Sequence, residues 1–240
     1  MRLALVCLVA ASLICLAVVA PFLPGGEVKG KEAGEGKKDA PPDAGLFTSD
    51  FAAEKDALAS TGRNPYFILE PGYQLVLEGG GEQLTVTVLD ETRVVDGVEC
   101  RVVEERETKD GKLVEASRNY FAISRRTNSV FYFGEDAGGA WLSSEKGARF
   151  GLMMPGLPLL GARYYQEVAP GVALDRAEIV AVGLTTRVPA GEFKDCIKTE
   201  ETTPLEPKER GHKVYARGVG LVEEGKLKLV RRGKVELPKK

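Results

Sequence analysis

From Tyr66 to Arg232, apolar and polar residues alternate in short runs separated by turn residues, the period-two signature of half-buried strands. Leu84, Val86 and Val88 alternate with Thr85 and Thr87, and the preceding run Tyr73–Glu78 ends at Gly79-Gly80-Gly81. Asp96-Gly97 and Asp110-Gly111 read as tight two-residue turns that join this strand to Val98–Thr108 and then to Lys112–Ile123. Val130–Phe133 adds a short aromatic strand. Residues 134–162, dense in glycine and proline, read mainly as loop. Beyond them strands are expected at Arg163–Val168, Asp175–Val188, Phe193–Thr203, His212–Arg217, Gly220–Glu224 and Lys226–Arg232. Ahead of the strands, residues 48–62 are expected to form a short helix, capped at Thr48, Ser49 or Asp50 and ended by Gly62. Phe51 and Leu58 would share one face of it. The fold class is therefore predominantly all-β: an antiparallel meander sheet, curved into a half-barrel or stacked as a sandwich, with one short N-terminal helix.

The first 26 residues break this pattern. Arg2 is followed by a run from Leu3 to Ala20 without a charge, broken only by Ser12. At about 1.5 Å per residue, a helix of that length crosses most of a hydrocarbon core about 30 Å thick. A basic residue, an apolar stretch and small residues near its end are the layout of an export signal. Val18-Val19-Ala20 resembles a cleavage site, but Pro21 follows it directly and fits a protease poorly. Two outcomes fit, a cleaved signal peptide or an uncleaved anchor that touches the membrane through residues 3–20. Cys7 follows Val6 and Cys15 follows Ile14, so neither has the small preceding residue that lipid attachment needs. Residues 27–45 are glycine, proline and charge with almost nothing apolar, a flexible linker. The expected organisation is a signal over 1–26, a linker over 27–45 and an extracytoplasmic β domain over 46–240, secreted, periplasmic or membrane-anchored.

Within the β domain, two meander units, about 66–134 and 163–232, look alike. Val94–Cys100 and Val188–Cys196 each pass through a turn into a strand bearing a cysteine. Each cysteine strand ends in a Glu-Glu pair, at Glu104-Glu105 and Glu200-Glu201, and an aromatic strand follows, around Tyr120 and Tyr215. Cys100 alternates with Val98 and Val102 on an apolar face. Cys196 is out of phase with Phe193 and Ile197, which a bulge near Asp195 would reconcile. Two lone cysteines in an exported domain either pair as a Cys100–Cys196 disulfide or stay as buried thiols.

Charge excludes one class of partner. Arg2 is the only charge in the first 26 residues, so the rest holds 32 of the 33 basic residues and all 35 acidic ones. That balance gives no basic surface for nucleic acid. The chain has one histidine, His212, so no multi-histidine metal site exists within it. His212 sits at a strand entrance, where a solvated side chain is expected rather than a catalytic base. The adjacent carboxylates Glu104-Glu105, Glu200-Glu201 and Glu223-Glu224 point to opposite faces of their strands, and solvated strand edges explain them. Gly79-Gly80-Gly81 lacks the Lys-Ser/Thr of a phosphate loop. No catalytic, cofactor or metal site is assigned, and the reading leans away from an enzyme. Met153, Met154, Leu157, Leu159 and Leu160 form an apolar stretch in a loop-like context, with Trp141 nearby, and are the candidate surface for a ligand or partner.

Several segments carry a resemblance. Asn64-Pro65-Tyr66-Phe67, Pro71-Gly72-Tyr73, Asp96–Val103, Val130–Asp136, Tyr165–Ala173, Val188–Phe193 and Tyr215–Val222 together resemble an uncharacterised family of exported bacterial β-rich proteins. More distantly, Val188-Pro189-Ala190-Gly191-Glu192-Phe193 and Gly218-Val219-Gly220-Leu221-Val222 are similar to segments of periplasmic half-barrel proteins of the lipoprotein-carrier type. The resemblance implies a curved sheet around an apolar face and no established catalytic residues. The expected function is a non-enzymatic binding module for a lipid-like ligand or an envelope protein. A structural or assembly protein of the envelope is the alternative, and a hydrolase without a recognisable site is third.

Overall fold

The structure, a computed structural model, describes residues 45–137 and 140–237, the side chains of 52–54 aside. The signal segment, with Cys7, Cys15 and Pro21, lies outside the described residues, as does the linker up to residue 44. Among the described residues no helix is long and apolar enough to cross a membrane.

The strands are β1 (Leu58–Ala59), β2 (Gly62–Asn64), β3 (Phe67–Leu69), β4 (Tyr73–Gly79), β5 (Glu82–Val95), β6 (Val98–Lys109), β7 (Lys112–Ser124) and β8 (Val130–Asp136). They continue with β9 (Trp141–Leu142), β10 (Arg149–Met154), β11 (Arg163–Tyr165), β12 (Glu167–Val168) and β13 (Arg176–Val188). Last come β14 (Gly191–Thr202), β15 (Gly211–Ala216), β16 (Gly220–Glu224) and β17 (Leu227–Lys234). The expected half-barrel is the fold. One curved antiparallel sheet runs β11-β13-β14-β15-β16-β17-β4-β5-β6-β7-β8-β10-β12, with β1 added beside β7 and β9 beside β8.

Turn chemistry builds both halves. Asp96 and Gly97 have φ of 51° and 77°, and Asp110 and Gly111 have 50° and 75°. Positive φ at both central residues gives turns whose twist matches the strands they join. In the second half the expected bulge is present. Leu184 pairs with Cys196 and Thr186 with Phe193, so the β14 side of the ladder holds one residue more, and Asp195 adopts a φ of 53°. The join of β17 to β4, from Lys228–Glu78 to Lys234–Tyr73, merges the two meanders into one sheet.

The sheet nearly closes on itself through an unusual device. Its two terminal strands, β11 and β12, are separated in sequence by Gln166 alone. The first half of this segment pairs with β13 and the second with β10, so residues 163–168 span the gap between the sheet's edges. Thr48 covers the remaining side of β11, accepting from Tyr165 N and donating to Arg163 O. At the seam, β10 passes so close that a Cβ on Gly151 would lie 2.4 Å from the Gln166 carbonyl oxygen and 2.5 Å from that of Tyr165. Gly151→Ala is therefore expected to spread the seam and cost about 1–3 kcal/mol, the range for overpacking a tight site. Urea denaturation checks this: an unchanged midpoint would mean that the edges do not meet there.

Two expectations are sharpened. The short helix expected within residues 48–62 is a 3-10 helix, Ala52–Ala57, followed by β1 and β2. Leu58 and Ala59 pair with Ser124 and Ile123 at the sheet, and this ladder ends the helical turn. Phe51 and Leu58 still pack into one cluster. Residues 134–162 hold β9 and β10 as well as loop, because pairing with β8 imposes extended backbone on a glycine-rich stretch.

Candidate functional site

The barrel interior is layered. An apolar layer includes Val88, Val103, Phe121, Ile197 and Tyr215, all buried in one cluster. Beside it lies a chamber of about 60 Å³ bounded by Leu75, Leu84, Val86, Val88 and Val103, with Tyr215 and Leu221 from the second meander. The β2–β3 hairpin covers its end: Tyr66, Ile68 and Leu69 are buried, and Gly218 N donates to the Pro65 carbonyl. Such a volume has room for about four or five waters.

A second chamber of about 40 Å³ is polar, bounded by Asn119, Tyr132, Gln166, Glu167, Asp175 and Glu201. Glu105, Met153 and Lys213 bound both chambers and form the wall between them. Strand parity explains these positions. Glu105 is in phase with Val103 on β6, Glu201 with Ile197 and Thr199 on β14, Lys213 with Tyr215 on β15, and Glu224 with Val222 on β16. Each charged side chain is carried inward in phase with a buried apolar residue two or four positions away. The outward partners behave differently. Glu200 pairs with Arg210 and His212, Glu223 with Lys228, and Glu104 with Arg106.

Lys213 Nζ lies 3.0 Å from Glu201 Oε2 and 3.4 Å from Glu224 Oε1, with all three residues buried. Burial opposes the ammonium, but Glu201 and Glu224 outweigh it and hold the amine protonated. The carboxyls respond in the other direction. Desolvation, then mutual repulsion, pushes Glu135 up to about 8. It also lifts Asp175 to about 6 and drives Glu105 and Glu167 above the ordinary carboxyl range. Burial moves Glu224 up to about 7, against the pull of Lys213. Glu105 is enclosed by protein yet keeps part of its surface open, because it faces the cavity.

Hydrogen bonding is incomplete in this layer. Tyr132 Oη donates to Asn119 Oδ1 at 2.5 Å, and Gln166 Nε2 reaches Glu201 Oε1 at 3.4 Å from the closing segment. Asp175 N donates to Glu167 Oε1 at 2.7 Å. Yet Tyr164 Oη, Thr199 Oγ1 and Glu224 Oε1 are buried without a hydrogen-bond partner. The 3.4 Å contact of Glu224 with Lys213 is electrostatic and lacks hydrogen-bond alignment. Orphaned buried polar atoms are uncommon in folded proteins and point to a missing water or ligand group.

The candidate ligand surface is divided by the fold. Met154 is wholly buried on β10, and Trp141 is buried with its ring edge-on to Tyr132 at 5.1 Å, so both are core and not surface. Met153 faces the chambers. Leu157, Leu159 and Leu160 are 75%, 61% and 66% exposed on the loop after β10. The six residues therefore form no common surface, because successive side chains on β10 point to opposite sides and Leu157, Leu159 and Leu160 lie on the loop beyond it.

His212 lies on the outside of β15, its side chain 43% exposed and 3.4 Å from Glu200. Among the described residues no group of three or more His, Cys, Asp or Glu is arranged to hold a metal ion. A wider crevice of about 680 Å³ lies over Lys55, Asp96 and Ser143. Within it Asp96 takes both the Lys55 ammonium at 2.6 Å and the Ser143 hydroxyl at 2.7 Å.

The possible Cys100–Cys196 disulfide is not formed. Both thiols are free and buried, in separate clusters on β6 and β14, six strands apart in the sheet order. Burial pushes Cys100 up to about 12 and raises Cys196, so neither is a ready thiolate. Iodoacetamide is expected to leave the Cys100 and Cys196 peptides unmodified in native protein and to label both in 8 M urea (about the concentration needed to expose a stable core). Labelling of either in native protein would show an open core. Sequence reasoning missed the inward lysine and carboxylates, although a charge in phase with a buried Val, Ile or Tyr was the available signal. No family model, curated protein or solved structure matches this chain.

Proposed function

We propose that this protein is a non-enzymatic binding module that works outside the cytoplasm and holds an apolar ligand inside its half-barrel. The observation that carries this reading is the apolar chamber of about 60 Å³, lined by Leu75, Leu84, Val86, Val88 and Val103 and ending on Lys213 and its carboxyls. A core that served stability alone would be filled to crystal-like density. Apolar walls supply affinity, while a few polar groups at one end orient the guest. The resemblance of Val188–Phe193 and Gly218–Val222 to half-barrel carriers points the same way, and the apolar Leu3–Ala20 run supports export.

A binding role fits the chemistry better than catalysis does. The interior carboxyls have no histidine beside them, and both cysteines are buried in other clusters. Native mass spectrometry of the full chain purified from its own host tests the proposal. A bound small molecule that leaves on denaturation is the expected result. Protein that is consistently free of any small molecule, and that takes up none from total lipid extract, would overturn it.

The exposed Leu157, Leu159 and Leu160 favour a second reading, an assembly role in which this loop docks on an envelope protein. Replacing all three with serine would weaken co-purification of that protein and leave ligand content unchanged.

A further inference from the structure

We infer that the loop after β10 seats this domain on a bilayer rich in anionic phospholipid, with its leucines among the acyl chains and neighbouring arginines at the headgroups. This goes beyond the interior binding reading and does not depend on it. The first ground is that the leucines are held outward. Leu157, Leu159 and Leu160 are all mostly exposed on one short loop, and both ends of that loop are stapled. Asn64 Nδ2 donates to the Pro155 carbonyl at 3.0 Å and to the Asn128 carbonyl at 2.8 Å. Gly156 N donates to Ser129 Oγ, and a Cβ on Gly156 would lie 1.7 Å from the Thr127 carbonyl oxygen. At the other end Gly161 N donates to the Ile179 carbonyl and Ala162 N to that of Leu159. Pro155 and Pro158 restrict the backbone further, so the leucines cannot fold back onto the sheet without breaking these bonds. Three adjacent exposed leucines on an ordered frame mark a contact surface.

The second ground is charge complementarity. The turn to which the loop is stapled, residues 124–129 between β7 and β8, carries Arg125 and Arg126. Both are exposed, and neither side chain makes a hydrogen bond or ion pair among the described residues. Asp56 lies nearby, since Arg125 N donates to the Ala57 carbonyl, yet it leaves both guanidiniums unpaired. Residues 124–129 and 155–163 contain no acid, and their third arginine, Arg163, is committed to Glu178 at 2.8 Å. Cations beside an apolar tip match phosphates above acyl chains.

The third ground selects a lipid surface over a protein. Thr48 pairs with Tyr164 on β11, the strand that directly follows the loop, and the exposed Leu46 precedes it. The N-terminal chain therefore joins the domain beside the leucines. Its apolar run, Leu3–Ala20, is long enough for a bilayer. A coil from residue 20 to residue 48 spans roughly 30 Å, so a run held in the membrane would keep this edge of the domain near the headgroups.

The test reconstitutes the full chain in vesicles of phosphatidylcholine and phosphatidylglycerol, with and without brominated acyl chains, and reads tryptophan fluorescence. Leu159→Trp is the probe, and Val114→Trp, exposed near the opposite end of β7, is the control. The parent, whose Trp141 is buried, gives the background. Brominated lipid is expected to quench Leu159→Trp and to leave Val114→Trp at the parent level. Arg125→Gln with Arg126→Gln, added to the probe, should lower the ratio of docked to free domains about thirtyfold, a factor of about five for each arginine at an anionic surface. Omitting phosphatidylglycerol should weaken docking likewise. Should Leu159→Trp fail to fold by circular dichroism, Leu157→Trp reads the same contact. Quenching of probe and control alike, or of neither, would overturn this docking face. Quenching indifferent to both arginines and to phosphatidylglycerol would overturn the anionic surface. Blue-shifted probe emission without quenching would show a protein cover and overturn the lipid one. Each of these failures leaves the interior binding reading standing, because the loop lies outside both chambers.

Discussion

Lys213→Met is expected to destabilise the protein by about 3–5 kcal/mol at pH 7, the range for removing one partner of a buried ion pair. The methionine nearly matches the lysine stem in size, so the loss comes from charge and not from a cavity. Glu201 Oε2 at 3.0 Å and Glu224 Oε1 at 3.4 Å would be left enclosed without a counter-ion. Two further measurements separate this cause from general damage. The triple variant Lys213→Met, Glu201→Gln, Glu224→Gln should recover much of the loss, because no buried charge remains to be neutralised. Acidification to pH 5 should recover part of it in the single variant, as the stranded carboxyls protonate. A cost below about 1 kcal/mol by urea denaturation would mean that water reaches the lysine freely, as it does for surface pairs.

Stability should fall as pH rises from about 5 to 8, contrary to the behaviour of a protein held by ordinary surface carboxylates. The sign follows from proton binding. Glu135 is raised from 4.5 in the unfolded chain to about 8 in the fold, so between these values the native state holds a proton that the unfolded state has lost. Its contribution is complete below the unfolded value and is lost progressively as pH climbs to the folded one. Glu224, raised to about 7, and Asp175, raised from 3.8 to about 6, act in the same sense over narrower windows. Lys213 titrates far above this range and does not offset them. Glu135 is 4% exposed and has only a 3.5 Å contact with Tyr132 Oη to stabilise its anion. Its share is on the order of 3 kcal/mol across the window. That corresponds to a decrease of about 6–12 °C in Tm for a domain of this size. Glu135→Gln, which keeps the shape and cannot ionise, should match the parent at pH 4.5 and exceed its Tm at pH 8. A parent Tm that is flat or rising from pH 5 to 8 would show that this layer is solvated.

These effects share a cause that also bears on function. A polar layer retained inside an otherwise apolar barrel costs stability unless each group is matched. The matching is partial, with one lysine among the carboxyls and orphaned oxygens on Tyr164, Thr199 and Glu224.

What the sequence by itself determined is local. Alternation placed most strands, and Asp96-Gly97 and Asp110-Gly111 set two hairpins because few other residue pairs accept positive φ twice in succession. The phase break at Cys196 located the bulge at Asp195. Parity also required that the members of Glu104-Glu105, Glu200-Glu201 and Glu223-Glu224 point to opposite faces. Tertiary structure decided what those faces meet. Parity divides a strand into two sides without saying which side becomes the inside, so Glu105, Glu201 and Glu224 read as solvated although they are enclosed. Their convergence on Lys213 depends on strands far apart in sequence, on the β17–β4 join and on the closing segment around Gln166. Short strands such as β9 and β10 likewise exist because β8 offers them a ladder, and that partnership, not local preference, drew Met154 and Trp141 into the core.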